Sequence, residues 1–105
     1  MQERNGTMEI IKHTEGSKLS IALVGRLDTT TAPALETELK EALGGVTVLA
    51  FDFEKLDYIS SAGLRVLLSA QKTMNKQGTM TVANANAEIR EVFDITGFSD
   101  ILTLL

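Results

Sequence analysis

Two adjacent hydroxyls, Ser60 and Ser61, followed by Ala62-Gly63-Leu64, form the string with the most obvious chemistry in the chain. A Ser where a loop becomes a helix accepts a hydrogen bond from a free backbone N–H, and two in succession exceed what one cap requires. The same place suits an anion, because unbonded N–H groups and the helix dipole both favour negative charge there. Nucleophilic catalysis by either hydroxyl needs a base within hydrogen-bond reach. The one His, His13, falls instead in a segment of strand character beside Lys12. Carboxylate pairs such as Asp52 with Glu54 or Asp94 with Asp100 carry little meaning, since fourteen acids on so short a chain form them by chance. With no Cys, disulfides, thiolate zinc sites and Cys nucleophiles are excluded, and a single His gives no imidazole pair for a transition metal. The phosphate-loop string GxxxxGK[ST] is absent. The expectation is a binding module, not an enzyme, with no metal and no cofactor.

A second cluster is Gly25-Arg26-Leu27-Asp28-Thr29-Thr30-Thr31-Ala32-Pro33. Asp28 reads either as a surface acid that meets a partner or a nucleotide phosphate, or as a turn acid holding loop amides. Arg26 and Arg65 read either as salt-bridge partners for another protein or as solvated surface charges. Leu64 belongs to the core or to a contact rim, and Tyr58 reads as filler at the base of its loop.

The elements that must position these residues follow from periodicity. Met8 to His13 and Leu19 to Val24 alternate as strands, and Glu15-Gly16-Ser17 between them reads as the turn of an antiparallel hairpin. Hydroxyls and Pro33 precede a helix marked by Leu35, Leu39, Ala42 and Leu43, with a Glu36–Lys40 pair on its wet side and a stop at Gly44-Gly45. Val46 to Phe53 is nearly all apolar, which predicts a central strand covered on both faces; Glu54 to Ile59 reads as the turn after it. Ser60-Ser61 then opens a second helix with Leu64, Leu67, Leu68, Gln71 and Met74 on one side, ending at Gly78. A short strand spans Thr79 to Ala83. Asn84 or Asn86 caps a third helix bearing Ile89, Val92 and Phe93, Gly97 ends it, and Ile101 to Leu105 is a terminal apolar run. Two strands followed by three helix–strand units predict an α/β fold: a mixed, mostly parallel β-sheet with helices packed against it by right-handed crossovers, behind an N-terminal β-hairpin.

Composition bounds the whole. The chain has 105 residues, 44% hydrophobic and 23% charged, with a formal net charge of −4. At this length a chain hides roughly two thirds of its unfolded surface, enough for one core and a shallow site. The expected organisation is a flexible polar start over residues 1–6 and one domain over 7–105. A negative net charge lacks the basic field that duplex binding requires, so no direct nucleic acid binding is expected. No apolar run has the length of a membrane span, and the start lacks the apolar stretch of a signal peptide. No membrane insertion and a cytoplasmic location are the corresponding expectations.

With these residues in place, the sequence from about Met8 to Leu105 resembles the STAS-domain anti-sigma factor antagonists of bacteria. Gly25-Arg26-Leu27-Asp28 is similar to the family's G-x-L-D turn ahead of its first helix. Leu56-x-Tyr58-Ile59-Ser60-Ser61-Ala62-Gly63-Leu64 is similar to its D-S-[ST]-G-L segment at the start of the second. The resemblance implies a STAS-domain fold and a phosphorylation site at Ser61. The unphosphorylated form binds an anti-sigma factor serine kinase and releases a sigma factor; phosphorylation switches binding off, and a serine phosphatase acting on phospho-Ser61 restores it. It further implies a partner surface of Arg26, Asp28, Thr29, Ser60, Ser61, Ala62, Gly63, Leu64 and Arg65. This chain departs from the family in having Ser60 where Asp is usual and Ala62 where a small polar residue is usual, which makes Ser60 a competing acceptor. The alternative within the same fold is a non-switching STAS adaptor subunit of a lipid-transport ABC system, in which Ser61 would be only a cap.

Overall fold

The computed structural model describes residues 3–5 as backbone and residues 8–105 in full. Five strands form one sheet in chain order: β1 (Glu3–Asn5), β2 (Met8–Glu15), β3 (Lys18–Leu27), β4 (Val48–Ile59) and β5 (Thr79–Ala83). The pairs β1–β2 and β2–β3 are antiparallel, and β3–β4 and β4–β5 are parallel. The expected hairpin is β2–β3, turned at Gly16 with φ of 60°. At the N-terminus Glu3–Asn5, within the polar start, pair with Ile10, Glu9 and Met8. Met1, Gln2 and Gly6 of that start, and Thr7 as the first residue of the domain, lie outside the described residues.

The helices are α1 (Ala32–Ala42), α2 (Ser61–Asn75) and α3 (Ala87–Thr96). Their apolar stripes and alternate strand residues make a single core: Leu35 and Leu39 of α1, Leu64, Leu67 and Met74 of α2, Ile89 and Phe93 of α3, against Ile21, Leu23, Leu49, Phe51, Phe53 and Val82 of the sheet. Only one side of the sheet is buried in this way. Ser20, Ala22, Val24, Val48, Ala50 and Asp52 on the other side are half-buried, so the central strand is covered on one face and not on both. Lys12 lies on the covered side of β2 beyond the core, where it reaches Glu38 of α1.

Strand β4 continues through Glu54 to Ile59, where a turn was expected. Its pairing with β3 slips between Ala22 and Val24 and again between Gly25 and Arg26, each time leaving an extra residue on β4. Such bulges let apolar residues spaced by three keep facing one side. Phe53, Leu56 and Ile59 are all buried for that reason. The first bulge is held by the Asp52 carboxylate, which accepts from the Glu54 N–H at 3.0 Å and from Asn84 Nδ2 at 3.0 Å. At the C-terminus the expected last helix–strand unit is reduced to one parallel bridge, Val82 with Leu104, after a 3-10 turn at Phe98–Asp100.

Candidate functional site

Adjacent parallel strands β3 and β4 end side by side, Leu27 opposite Ile59, and from these ends the two loops of interest leave together. The Ser60 N–H donates to the Leu27 carbonyl at 2.9 Å, which ties the start of α2 to the end of β3. Crossover loops at the carboxyl ends of parallel strands are where such folds gather binding groups.

The two Ser residues take different positions. Ser60 is the N-cap of α2, extended at φ −100° and ψ 176°, and its Oγ accepts from the Gly63 N–H at 3.4 Å while its carbonyl accepts from the Leu64 N–H at 3.0 Å. Ser61 is the first residue of the helix and exposed, and its hydroxyl has no hydrogen-bond partner among the described residues. Ala62 is half-buried. Gly63 is buried because α2 comes down onto the strand ends: a Cβ there would lie 2.7 Å from Leu27 Cγ and 2.9 Å from Ile59 Cγ1. Leu64 is core, not rim, and Arg65 is exposed one turn after Ser61.

The loop Asp28–Thr31 is built on the Asp28 carboxylate. Its Oδ1 accepts from the Thr30 hydroxyl at 2.7 Å, the Thr30 N–H at 3.0 Å and the Thr31 N–H at 3.2 Å. The hydrogen bond from the Thr30 hydroxyl, with those of the Thr30 and Thr31 backbone, holds the carboxyl below its ordinary value of 3.8. Of the two readings of Asp28, the turn acid describes its contacts. Thr31 is fully buried; its hydroxyl donates to the Arg26 carbonyl at 2.8 Å and accepts from the Asp28 N–H at 2.8 Å. Thr29 is exposed at the tip of the loop.

Arg26 stands opposite Tyr58 on the neighbouring strand, its guanidinium carbon 4.2 Å from the ring centroid, and its Nε lies 3.6 Å from Asp28 Oδ2. Tyr58 is therefore a 41% exposed platform for a cation and not filler under the loop. Sequence reasoning missed this pair. The signal for it is that Arg26 and Tyr58 each stand one residue before the end of their strand. The surface thus brings together Arg26, Asp28, Thr29, Ser60, Ser61, Ala62 and Arg65 at one end of the sheet, while Gly63 and Leu64 support it from below. His13, on β2, pairs with Ser20 on the hairpin. Among the described residues no three His, Asp or Glu side chains are placed to hold a metal ion.

A mixed sheet whose parallel strand ends present a G-R-L-D turn beside a Ser-capped helix is the fold expected of a STAS domain. The chain belongs to the STAS domain family, whose model matches residues 8–105. Among curated relatives it is similar to the anti-sigma factor antagonist BtrV of Bordetella bronchiseptica, 39% identical over 85 residues, which covers 79% of this chain and 73% of that protein. It is also similar to the anti-sigma-B factor antagonist of Bacillus subtilis, 27% identical over 95 residues, covering 90% and 86% of the two chains. In fold it is similar to an anti-sigma factor antagonist from Mycobacterium paratuberculosis, with a TM-score of 0.84 and 20% identity over 93% of this chain and 85% of that one. The phosphorylated form of the Bacillus cell fate determinant SpoIIAA superposes with a TM-score of 0.73 at 21% identity, covering 91% and 90%.

Proposed function

We propose that this chain is a cytoplasmic anti-sigma factor antagonist that exchanges partners. Unmodified, it binds an anti-sigma factor that is also a serine kinase, and a sigma factor is released. The kinase then transfers the γ-phosphoryl group of ATP to Ser61 Oγ, ADP leaves, a base on the kinase takes the hydroxyl proton, and the complex parts. A serine phosphatase resets the chain by hydrolysis of phospho-Ser61. The chain is the substrate in this cycle, not the enzyme, and the cycle involves no direct nucleic acid binding and no membrane insertion by it.

The observation that carries this reading is the division of labour at α2: Ser60 caps the helix, so Ser61 is left exposed with an unengaged hydroxyl. Relatives that are named anti-sigma factor antagonists and a similar fold solved in a phosphorylated form support it. A phosphate brings about −1.5 to −2 charge to a helix start that tolerates an anion. A partner packed on the same spot has to desolvate that charge, which weakens binding and spares the fold.

The test uses wild type, Ser61→Asp and Ser60→Asp as baits in native lysate, followed by titration of the captured anti-sigma factor. Wild type is expected to capture a protein with a kinase ATP-binding fold, and Ser61→Asp to bind it at least about a hundredfold more weakly, the equivalent of roughly 2.7 kcal/mol. Equal affinity of wild type and Ser61→Asp refutes the switch at this residue. Capture of a transporter ATPase by all three baits replaces this reading with the adaptor.

A further inference from the structure

Beside the loop that carries Ser61, on the side away from α1, a cleft of about 260 Å³ runs between the end of β4 and α3. Its floor is Ile59, Ile89 and Val92, and its rim is Asp57, Glu88 and Glu91. Tyr58 and Ile95 complete it, and Ile95 is 76% exposed on a helix whose Ile89 and Phe93 are fully buried. No Lys, Arg or His lines it. Arg26 stacks on the Tyr58 ring and faces Asp28, and Arg90 on α3 donates to the Leu105 carbonyl at 3.0 Å.

Two other clefts lack this pattern. The groove between α1 and α2 is lined by Glu36 together with Lys40, and the hollow on the open sheet face by Asp52 and Glu54 together with Lys55. Charges of both signs there select no partner. In the cleft on α3, three carboxylates of one sign surround an apolar strip, an arrangement that attracts a cationic surface and repels an acidic one.

We propose that the cleft between β4 and α3 is a docking groove for an amphipathic helix of a partner protein, one that places apolar side chains against Val92 and Ile95 with Lys or Arg flanking them. Apolar anchors supply the adhesion and the flanking charges supply the register, the usual division in helix-in-groove recognition. A second copy of this chain is a poor occupant, since a symmetric contact across this patch brings Asp57, Glu88 and Glu91 against their own copies. The groove is separate from the phosphate site, so it stays competent when Ser61 carries a negative charge.

The test is independent of the Ser61 switch. Isotope-labelled full-length chain is titrated with three stapled helical peptides that share one Leu stripe, flanked by Lys, by Gln or by Glu. The Lys peptide is expected to shift the amides of residues 57–59 and 88–95, and to bind at least about tenfold more tightly than the Gln peptide. Raised salt should shrink that advantage. Ile95→Asp, a surface change, is expected to abolish binding with an unchanged unfolding midpoint, and Asp57→Lys with Glu91→Lys to invert the preference toward the Glu peptide. Ser61→Asp is expected to bind the Lys peptide as wild type does. The proposal is overturned by equal binding of the Lys and Glu peptides, by no binding at millimolar peptide, by shifts mapping to another face, by loss of binding in Ser61→Asp, or by a dimer in sedimentation whose interface signals fall on Ile95.

Discussion

At the start of α2 two neighbouring hydroxyls meet different fates, and single substitutions separate them. Ser60 Oγ satisfies the Gly63 N–H over a long 3.4 Å bond, so Ser60→Ala should cost about 0.5–1 kcal/mol, the lower part of the range for caps. Ser61→Ala removes a hydroxyl that bonds nothing in the fold and should change stability by less than about 0.5 kcal/mol. Urea unfolding of the two variants checks both values, and a larger loss at Ser61 than at Ser60 would reverse the assignment of cap and modification site. Asp28 makes a prediction in pH. Its carboxyl is held below the ordinary 3.8 by the Thr30 hydroxyl and the loop amides, so the folded form favours the charged group. That contribution is present in full above the unfolded value and is lost as the pH falls through the lowered folded value. Asp28→Asn should therefore lose less stability than wild type on acidification from just above 3.8 downward, measured as the difference between their urea midpoints across that interval. Parallel midpoints would show that the carboxylate is not what holds the loop.

Elements set the height and angle at which these residues stand. Gly63 lets α2 rest against Leu27 and Ile59, and a Cβ at 2.7 Å from Leu27 Cγ forces either the side chain or the helix to move. Gly63→Ala should cost about 1–3 kcal/mol, the range for overpacking a filled core, and should weaken partner binding because the helix start is displaced. A chemical-denaturation midpoint equal to wild type would show that Leu27 yields freely. The helices and the β2–β3 hairpin were legible in the sequence because their apolar residues keep one period throughout: Leu35 with Leu39, Leu64 with Leu67 and Met74, Leu19 with Ile21 and Leu23. Strand β4 was legible only to Phe53. Beyond it the spacing widens from two to three at Leu56 and Ile59, which imitates a turn; only the pairing with β3 reveals two bulges. The uncovered sheet face was also hidden, since small apolar residues such as Ala22, Val24 and Ala50 look the same in a row of letters whether or not a helix lies over them. The Ser pair was readable from its place ahead of an amphipathic segment. The cleft on α3 was not, because Tyr58 and Ile95 are distant in sequence and become neighbours only through the fold.

For the molecule as a whole, one core under one side of a sheet places every helix behind the same surface, and the proposed partner site is the rim where β3 and β4 finish. Ser61 itself is exposed above those buried residues, so on the proposed cycle an added charge meets solvent and the partner while the packing beneath it is kept. The described helices include none long and apolar enough to cross a membrane. The fixed backbone at Ser61 has a consequence for how the site is found. A target hydroxyl in an ordinary flexible tail is reached by threading the chain through the enzyme, and a short excerpt of the tail serves as well as the whole. Here the residue is already wound into the first turn of a helix whose cap, floor and neighbouring loop come from Ser60, Leu27 and Asp28–Thr31. A peptide spanning residues 54–68 keeps Ser60 but lacks Leu27 and the Asp28–Thr31 loop, and with them most of that relief. It should be phosphorylated far more slowly than the intact chain by the captured kinase, as phosphate incorporation at equal concentration would show, and equal rates would mean that the kinase reads text. On the proposed cycle, the kinase reads topography: the address of Ser61 is written across distant parts of the chain and exists only once the protein has folded.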